Sequence, residues 1–181
     1  MTGPVLSCTI WYMKAEGTVE IDAPAPVVWE VYSDVERWAE WTASIERIVA
    51  LDSPGLEVDK RFEISQPRLP RLVWQVTAVE PGASWTWRQR SPGGTTDAVH
   101  EVTALGPNRT LVRQQIEQRG PIGVLVALAM RRRARRYLEL EARGLKLRSE
   151  QLHANRAGPR ATSSGAEAPA SGPLRADAAP A

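Results

Sequence analysis

One side chain in this 181-residue sequence combines an inward strand position with a proton that can move near neutral pH: His100. It stands in the run 95–104, where alternation turns Ala98, His100, Val102 and Ala104 to one face and Asp97, Val99, Glu101 and Thr103 to the other. Two roles are open to it, a structural imidazole bonded to an amide or carbonyl and a catalytic proton shuttle. Three amides, Gln66, Gln89 and Gln114, fall on the same inner face, and such groups need partners from one another, from water or from a ligand. The wall around them is apolar: Phe62 and Ile64 precede Gln66, Leu72, Trp74 and Val76 share the next strand, and Trp85 and Trp87 precede Gln89. Val112 and Ile116 flank Gln114. Each indole alone is explained by core filling, whereas Trp74, Trp85 and Trp87 on adjacent strands suit a flat hydrophobic or aromatic ligand. No carboxylate joins them, because Asp97, Glu101 and Glu117 all alternate outward.

These groups are positioned by a simple order of elements. Gly17 to Ile21 reads as a strand, and Ala23-Pro24-Ala25-Pro26 starts a helix, since proline in a first turn has no N–H bond to lose. Val28, Val31, Tyr32 and Val35 follow at helical spacing, and Asp34 is placed to cap a second short helix carrying Trp38 and Trp41. Six strands come next, at about 45–51, 60–66, 71–79, 84–90, 95–104 and 110–118, separated by Pro and Gly turns such as Glu80-Pro81-Gly82 and Ser91-Pro92-Gly93-Gly94. The register of 45–51 stays open. Tight turns make the strands antiparallel, because a parallel return needs a crossover of about a dozen residues. After Gly120-Pro121 a long helix runs to about Gln151, with Tyr137, Leu140, Gly144 and Leu147 on one stripe, and only this element is long enough to cover the sheet. A sheet curling around one helix leaves an interior space, and such spaces bind small molecules.

Composition bounds the rest. With 43% hydrophobic and 24% charged residues and a formal net charge of +2, the chain has material for one buried domain and no excess charge for a polyanionic partner, so no nucleic acid is expected. A single cysteine, Cys8, forms no internal bridge and suits a cytoplasmic protein. The longest apolar stretch, Ile122 to Met130, is far below the ~20 residues of a membrane span, and no secretory leader is visible, so no transmembrane segment is expected. His100 and His153 have no metal-ligand spacing to Cys, Asp or Glu, and phosphate and dinucleotide loops are absent, so neither metal nor cofactor is expected. The run Arg131, Arg132, Arg133, Arg135 and Arg136 admits a membrane-surface reading. The favoured one is a solvated face pairing with Glu139 and Glu141, since basic and apolar residues do not separate onto opposite faces. Three segments result: 1–14, unpatterned, with Met13 an alternative start; 15–152, the domain; and 153–181, an Ala, Pro, Gly and Ser-rich tail too poor in apolar residues to order itself.

The sequence also resembles a known family. Ile21-Asp22-Ala23-Pro24 before Val28-Trp29, then Asp34-Val35-Glu36-Arg37-Trp38 and Trp41, are similar to the opening of the polyketide cyclase/dehydrase and lipid-transport group, in the SRPBCC or START-like superfamily. Trp74-Gln75-Val76, Glu80-Pro81-Gly82, Trp85-Thr86-Trp87, His100 and Glu141-Ala142-Arg143-Gly144 continue the likeness, which covers about Glu16 to Gln151. The resemblance implies an α+β helix-grip fold, a seven-stranded antiparallel sheet curved around the C-terminal helix with two short helices after the first strand. It implies a small hydrophobic ligand, polyketide-like or lipid-like, and cyclase or dehydratase chemistry; a non-catalytic lipid carrier and a protein-interaction module of the same fold are the alternatives. By the same resemblance Trp38 and Trp41 line the entrance. The oligomeric state stays open.

Overall fold

In a computed structural model of the chain, residues 12–158 are described. Strand β1 (Tyr12–Ile21) leads through Pro24, whose extended φ of −61° and ψ of 144° set the start of helix α1 (Ala25–Ser33). Its buried face is Val28, Val31 and Tyr32, the apolar spacing expected of it. The second short helix is a 3-10 segment, Val35–Glu40; Asp34 occupies its cap position, but only the Asp34 backbone carbonyl accepts a bond there, from Arg37 N–H. Strands β2 (Arg47–Ala50), β3 (Arg61–Ser65), β4 (Leu72–Glu80), β5 (Ser84–Ser91), β6 (Gly94–Gly106) and β7 (Arg109–Arg119) follow, and helix α2 spans Pro121–Ala157.

All seven strands form one antiparallel sheet in the order β1-β7-β6-β5-β4-β3-β2. Sequential connections build five of the six neighbouring pairs, and β1 closes the far edge against β7 with Gly17 opposite Gln114. Left-handed glycines serve the tight turns, Gly82 at φ 83° and Gly93 at φ 74°. The short β2 takes its register from Ile48 opposite Ile64 and Ala50 opposite Phe62. This is the element order that the strand and turn pattern anticipates, and the helix-grip fold that the resemblance implies.

Several expectations need correction. The first strand begins at Tyr12, five residues before Gly17, so Tyr12, Met13 and Lys14 pair with β7 and are not part of an unpatterned segment. The last helix runs on to Ala157, which carries 153–157 into the domain; residues 1–11 and 159–181 lie outside the described residues. Ala104 is exposed, because a register shift between Ala104 and Gly106 ends the alternation after Val102. Asp97 keeps its outward alternation and yet is buried, gripped by two bonds from the Arg88 guanidinium at 2.5 and 3.0 Å.

The largest correction concerns α2. Leu147 is 59% exposed, and the covered stripe is Leu138, Glu141, Leu145 and Ser149, with Leu152 against the core. Leu138, Leu145 and Leu152 recur every seven residues, which keeps one face of a helix in register and places Glu141 on it. Gly144 lets α2 approach the 3-10 segment: a Cβ there would stand 2.1 Å from the Trp41 carbonyl oxygen and 3.0 Å from the Trp41 ring. Gly144→Ala must push these backbones apart. We expect thermal unfolding to report a loss of about 1–3 kcal/mol, the usual cost of overpacking.

Candidate functional site

Between α2 and the concave face lies a cavity of about 70 Å³. Its aromatic wall is Trp38, Trp74 and Trp87, its aliphatic wall Ile45, Ile64 and Leu138, and its polar groups include Gln66, His100, Gln114 and Glu141. Of the residues singled out from sequence, Trp38, Ile64, Gln66, Trp74, Trp87, His100 and Gln114 meet here. Phe62, Trp85 and Val102 are buried in the surrounding core instead. Gln89 sits at the end of β5, where its amide donates to Arg90 O and Ser91 Oγ at 2.7 and 2.6 Å. Trp41 stands behind Trp38, 5.3 Å between ring centres, and does not reach the cavity.

His100 is enclosed by aromatic rings. It stacks on Trp85 at 4.3 Å with the planes 8° apart, and Tyr32, Trp38 and Trp87 present edges or faces at 5.4, 5.8 and 5.4 Å. Burial among these rings drives the imidazole pKa down to about 3, so it is neutral at physiological pH. Its Nδ1, like Trp85 Nε1 and Gln114 Oε1, has no hydrogen-bond partner among the described residues. Of these, His100 Nδ1 and Gln114 Oε1 belong to cavity-lining residues, where water or a ligand can meet them.

Glu141 is the group that alternation of apolar residues did not find. The expectation that it pairs with the arginine run on a solvated face is overturned: it is 8% exposed and points inward, and only Arg136 pairs with Glu139, at 3.8 Å. Ser44 Oγ donates to its Oε1 at 3.0 Å, and Gln114 Nε2 donates to its Oε2 at 3.3 Å and to Tyr32 Oη at 2.7 Å. Thr42 Oγ1 lies 2.9 Å from Ser44 Oγ; because the Ser44 proton goes to Glu141, the Thr42 hydroxyl is the donor of that pair. The chain Thr42 to Ser44 to Glu141, joined by Gln114 and Tyr32, fixes the carboxyl in place. Burial nevertheless raises its pKa to about 7, with the Ser44 and Gln114 bonds opposing the rise. Burial, and then the adjacent Glu141 charge, push the Tyr32 phenol well above its usual value, so it stays protonated. The Leu138-Leu145-Leu152 spacing was the sequence feature that could have located Glu141.

Among the described residues no group of three or more His, Cys, Asp and Glu could hold a metal ion. No helix there is long and apolar enough to cross a membrane.

Solved structures share this architecture. Norcoclaurine synthase of Thalictrum flavum superposes with a TM-score of 0.65 at 12% identity, over 81% of this chain and 99% of its own. The Zhui aromatase/cyclase of Streptomyces sp. R1128 gives 0.60 at 16% identity, over 81% and 96%. A START superfamily protein of Mycobacterium smegmatis gives 0.58 at 21% identity, over 77% and 98%. At these identities the likeness establishes the START-like, helix-grip fold alone. No curated protein matches the chain. Residues 12–150, nearly the whole described domain, match the family described as polyketide cyclase / dehydrase and lipid transport, and the chain belongs to that family.

Proposed function

We propose that the chain binds a small hydrophobic molecule, polyketide-like or lipid-like, between α2 and the sheet, and that Glu141 moves a proton on it in a cyclisation or dehydration. Family and fold suggest ligand binding in a hydrophobic pocket. The observation that carries the chemical step is a carboxyl group on the cavity wall whose pKa stands at about 7. Such a group is about half protonated at neutral pH, so it can donate to a departing hydroxyl or accept a proton from an activated carbon. His100, for which the sequence leaves a structural role and a proton shuttle both open, takes a third part in this reading: kept neutral, it is a fixed hydrogen-bonding group that orients the ligand's polar atoms. The tryptophans hold the chain in a reactive shape, the main source of rate in an intramolecular condensation.

The cavity is smaller than the roughly 300–1,000 Å³ of ordinary ligand sites, so admission requires a wall to move. Segment 66–71 is the part we assign to that movement, since the side-chain hydrogen bonds from α2 to it among the described residues are Tyr137 Oη to Pro67 O and Arg133 to Arg68 O. A single cysteine and the soluble fold suit action in the cytoplasm.

The test separates enzyme from carrier. Tryptophan fluorescence is titrated with 2-naphthol and with oleate, and cyclisation of a linear poly-β-ketone surrogate is followed by chromatography. Glu141→Gln should keep the affinity within about threefold and lower the rate by 10²-fold or more, the range a positioned acid or base contributes. Binding with no turnover in the unmodified protein contradicts the catalytic step and leaves a carrier; no binding contradicts the whole proposal.

A further inference from the structure

The first turns of α2 turn their aliphatic side chains to solvent. Ile122, Leu125 and Leu128 are 51%, 62% and 54% exposed, and Val126 is exposed beside them, while Val124 is buried. The arginines that follow lie on the same outward stripe: Arg132 is four residues beyond Leu128 and seven beyond Leu125, and Arg136 is four beyond Arg132. Apolar and basic residues thus separate along the helix axis, not around it. A run of seven residues from Leu125 to Arg132 spans about 10 Å, which matches the depth between the headgroup layer and a shallowly inserted apolar side chain.

Charge agrees with this polarity. Residues 119–136 contain six arginines and no acidic residue, although the whole chain carries only +2. Of these, Arg119 pairs with Glu117 and Arg136 with Glu139, while Arg131, Arg132 and Arg135 have no ion pair among the described residues. Beside them, a groove between β1 and α2 is walled by Arg131, Ala134 and Arg135 and shares Ile116 with the interior cavity.

We infer that the N-terminal third of α2 docks on an anionic lipid bilayer, with Leu125 and Leu128 below the phosphates and Arg132, Arg135 and Arg136 among them. A nucleic acid does not fit, because the foremost surface is aliphatic and offers phosphates no donor. The inference is independent of what occupies the cavity.

The test uses the full chain and extruded vesicles of phosphatidylcholine alone or with one third phosphatidylglycerol. Co-sedimentation is expected with the anionic vesicles at low salt, and not with phosphatidylcholine alone. Leu125→Ser with Leu128→Ser should weaken it at least about tenfold through lost apolar insertion. Arg132→Gln, Arg135→Gln and Arg136→Gln together should weaken it about a hundredfold, at about fivefold per charge. All five side chains are exposed, so an unchanged circular dichroism spectrum shows the fold intact. In a Cys8→Ser background, an environment-sensitive probe at Leu125→Cys should shift to the blue on the anionic vesicles. The same probe at Leu147→Cys, about 33 Å along the same stripe, should not. Absence of sedimentation with anionic vesicles, sedimentation indifferent to the leucine variant, or equal shifts at both probe positions overturns the inference.

Discussion

Glu141→Gln is expected to abolish a loss of about 2–3 kcal/mol of stability that this one carboxyl imposes between pH 5 and pH 8.5. In the fold the Glu141 pKa stands at about 7 against an ordinary 4.5, so between those values the native state binds more protons than the unfolded chain. Stability attributable to this group therefore falls as pH rises through that window, and the full cost, about 3 kcal/mol, is present above it. His100 works in the opposite sense and in a lower window. Its folded pKa of about 3 lies below the unfolded 6.5, so its contribution is lost as pH falls below 6.5 and is constant above it. The two slopes overlap between pH 4.5 and 6.5, which is why the variant is needed. Urea unfolding of both proteins at pH 5 and 8.5 isolates Glu141: the glutamine variant should gain about 2–3 kcal/mol relative to the parent over that interval. Equal pH dependence in the two would mean that the carboxyl is solvated and not seated among Ser44, Gln114 and Tyr32.

Trp38→Ala is expected to cost about 3–5 kcal/mol, the largest loss of any single truncation discussed. Trp38 is 1% exposed and connects both layers of the domain. Its ring stacks on Tyr32 at 5.3 Å with planes 11° apart and contacts Trp41, Trp85, Trp87 and His100, while its Nε1 donates to Tyr32 O at 2.9 Å. Truncation removes that bond, leaves a void the size of an indole and opens the existing cavity into it. For a domain of this size the loss lowers the melting temperature by roughly 10 °C. Trp38→Phe keeps a stacking ring and gives up chiefly the bond to Tyr32, so it should lose only about 1–2 kcal/mol. Scanning calorimetry of the pair checks both figures; equal losses would mean the ring contacts contribute little.

What could be read from residues alone followed the chemistry of each element. Turns were legible because Pro and Gly fix or free φ, and so the hairpins from β3 to β7 lie within two residues of expectation. Inward faces were legible wherever period-two alternation held, from Phe62 through Gln114, and failed at Ala104 where a bulge interrupts it. Helix α2 was misread by about one residue of rotation, since Tyr137, Leu140 and Leu147 supply apolar residues on a neighbouring stripe and a glutamate on the true one does not count as core. That rotation hid the carboxylate. A pattern built on hydrophobicity passes over a buried acid, because what keeps Glu141 inside is long-range: Ser44 is 97 residues away and Gln114 27 residues away. The order of apolar and then basic residues along α2 is a separate matter, since it runs along the axis and a helical wheel does not show it.

If the space beside Glu141 receives a hydrophobic molecule, native mass spectrometry of the purified full chain detects it. One hydrophobic adduct per protein is expected, carried through purification or acquired on adding 2-naphthol or oleate. The adduct should be absent in Ala98→Phe, which fills the cavity from its sheet wall. A bare protein mass with every probe, or an adduct indifferent to Ala98→Phe, would contradict binding beside Glu141.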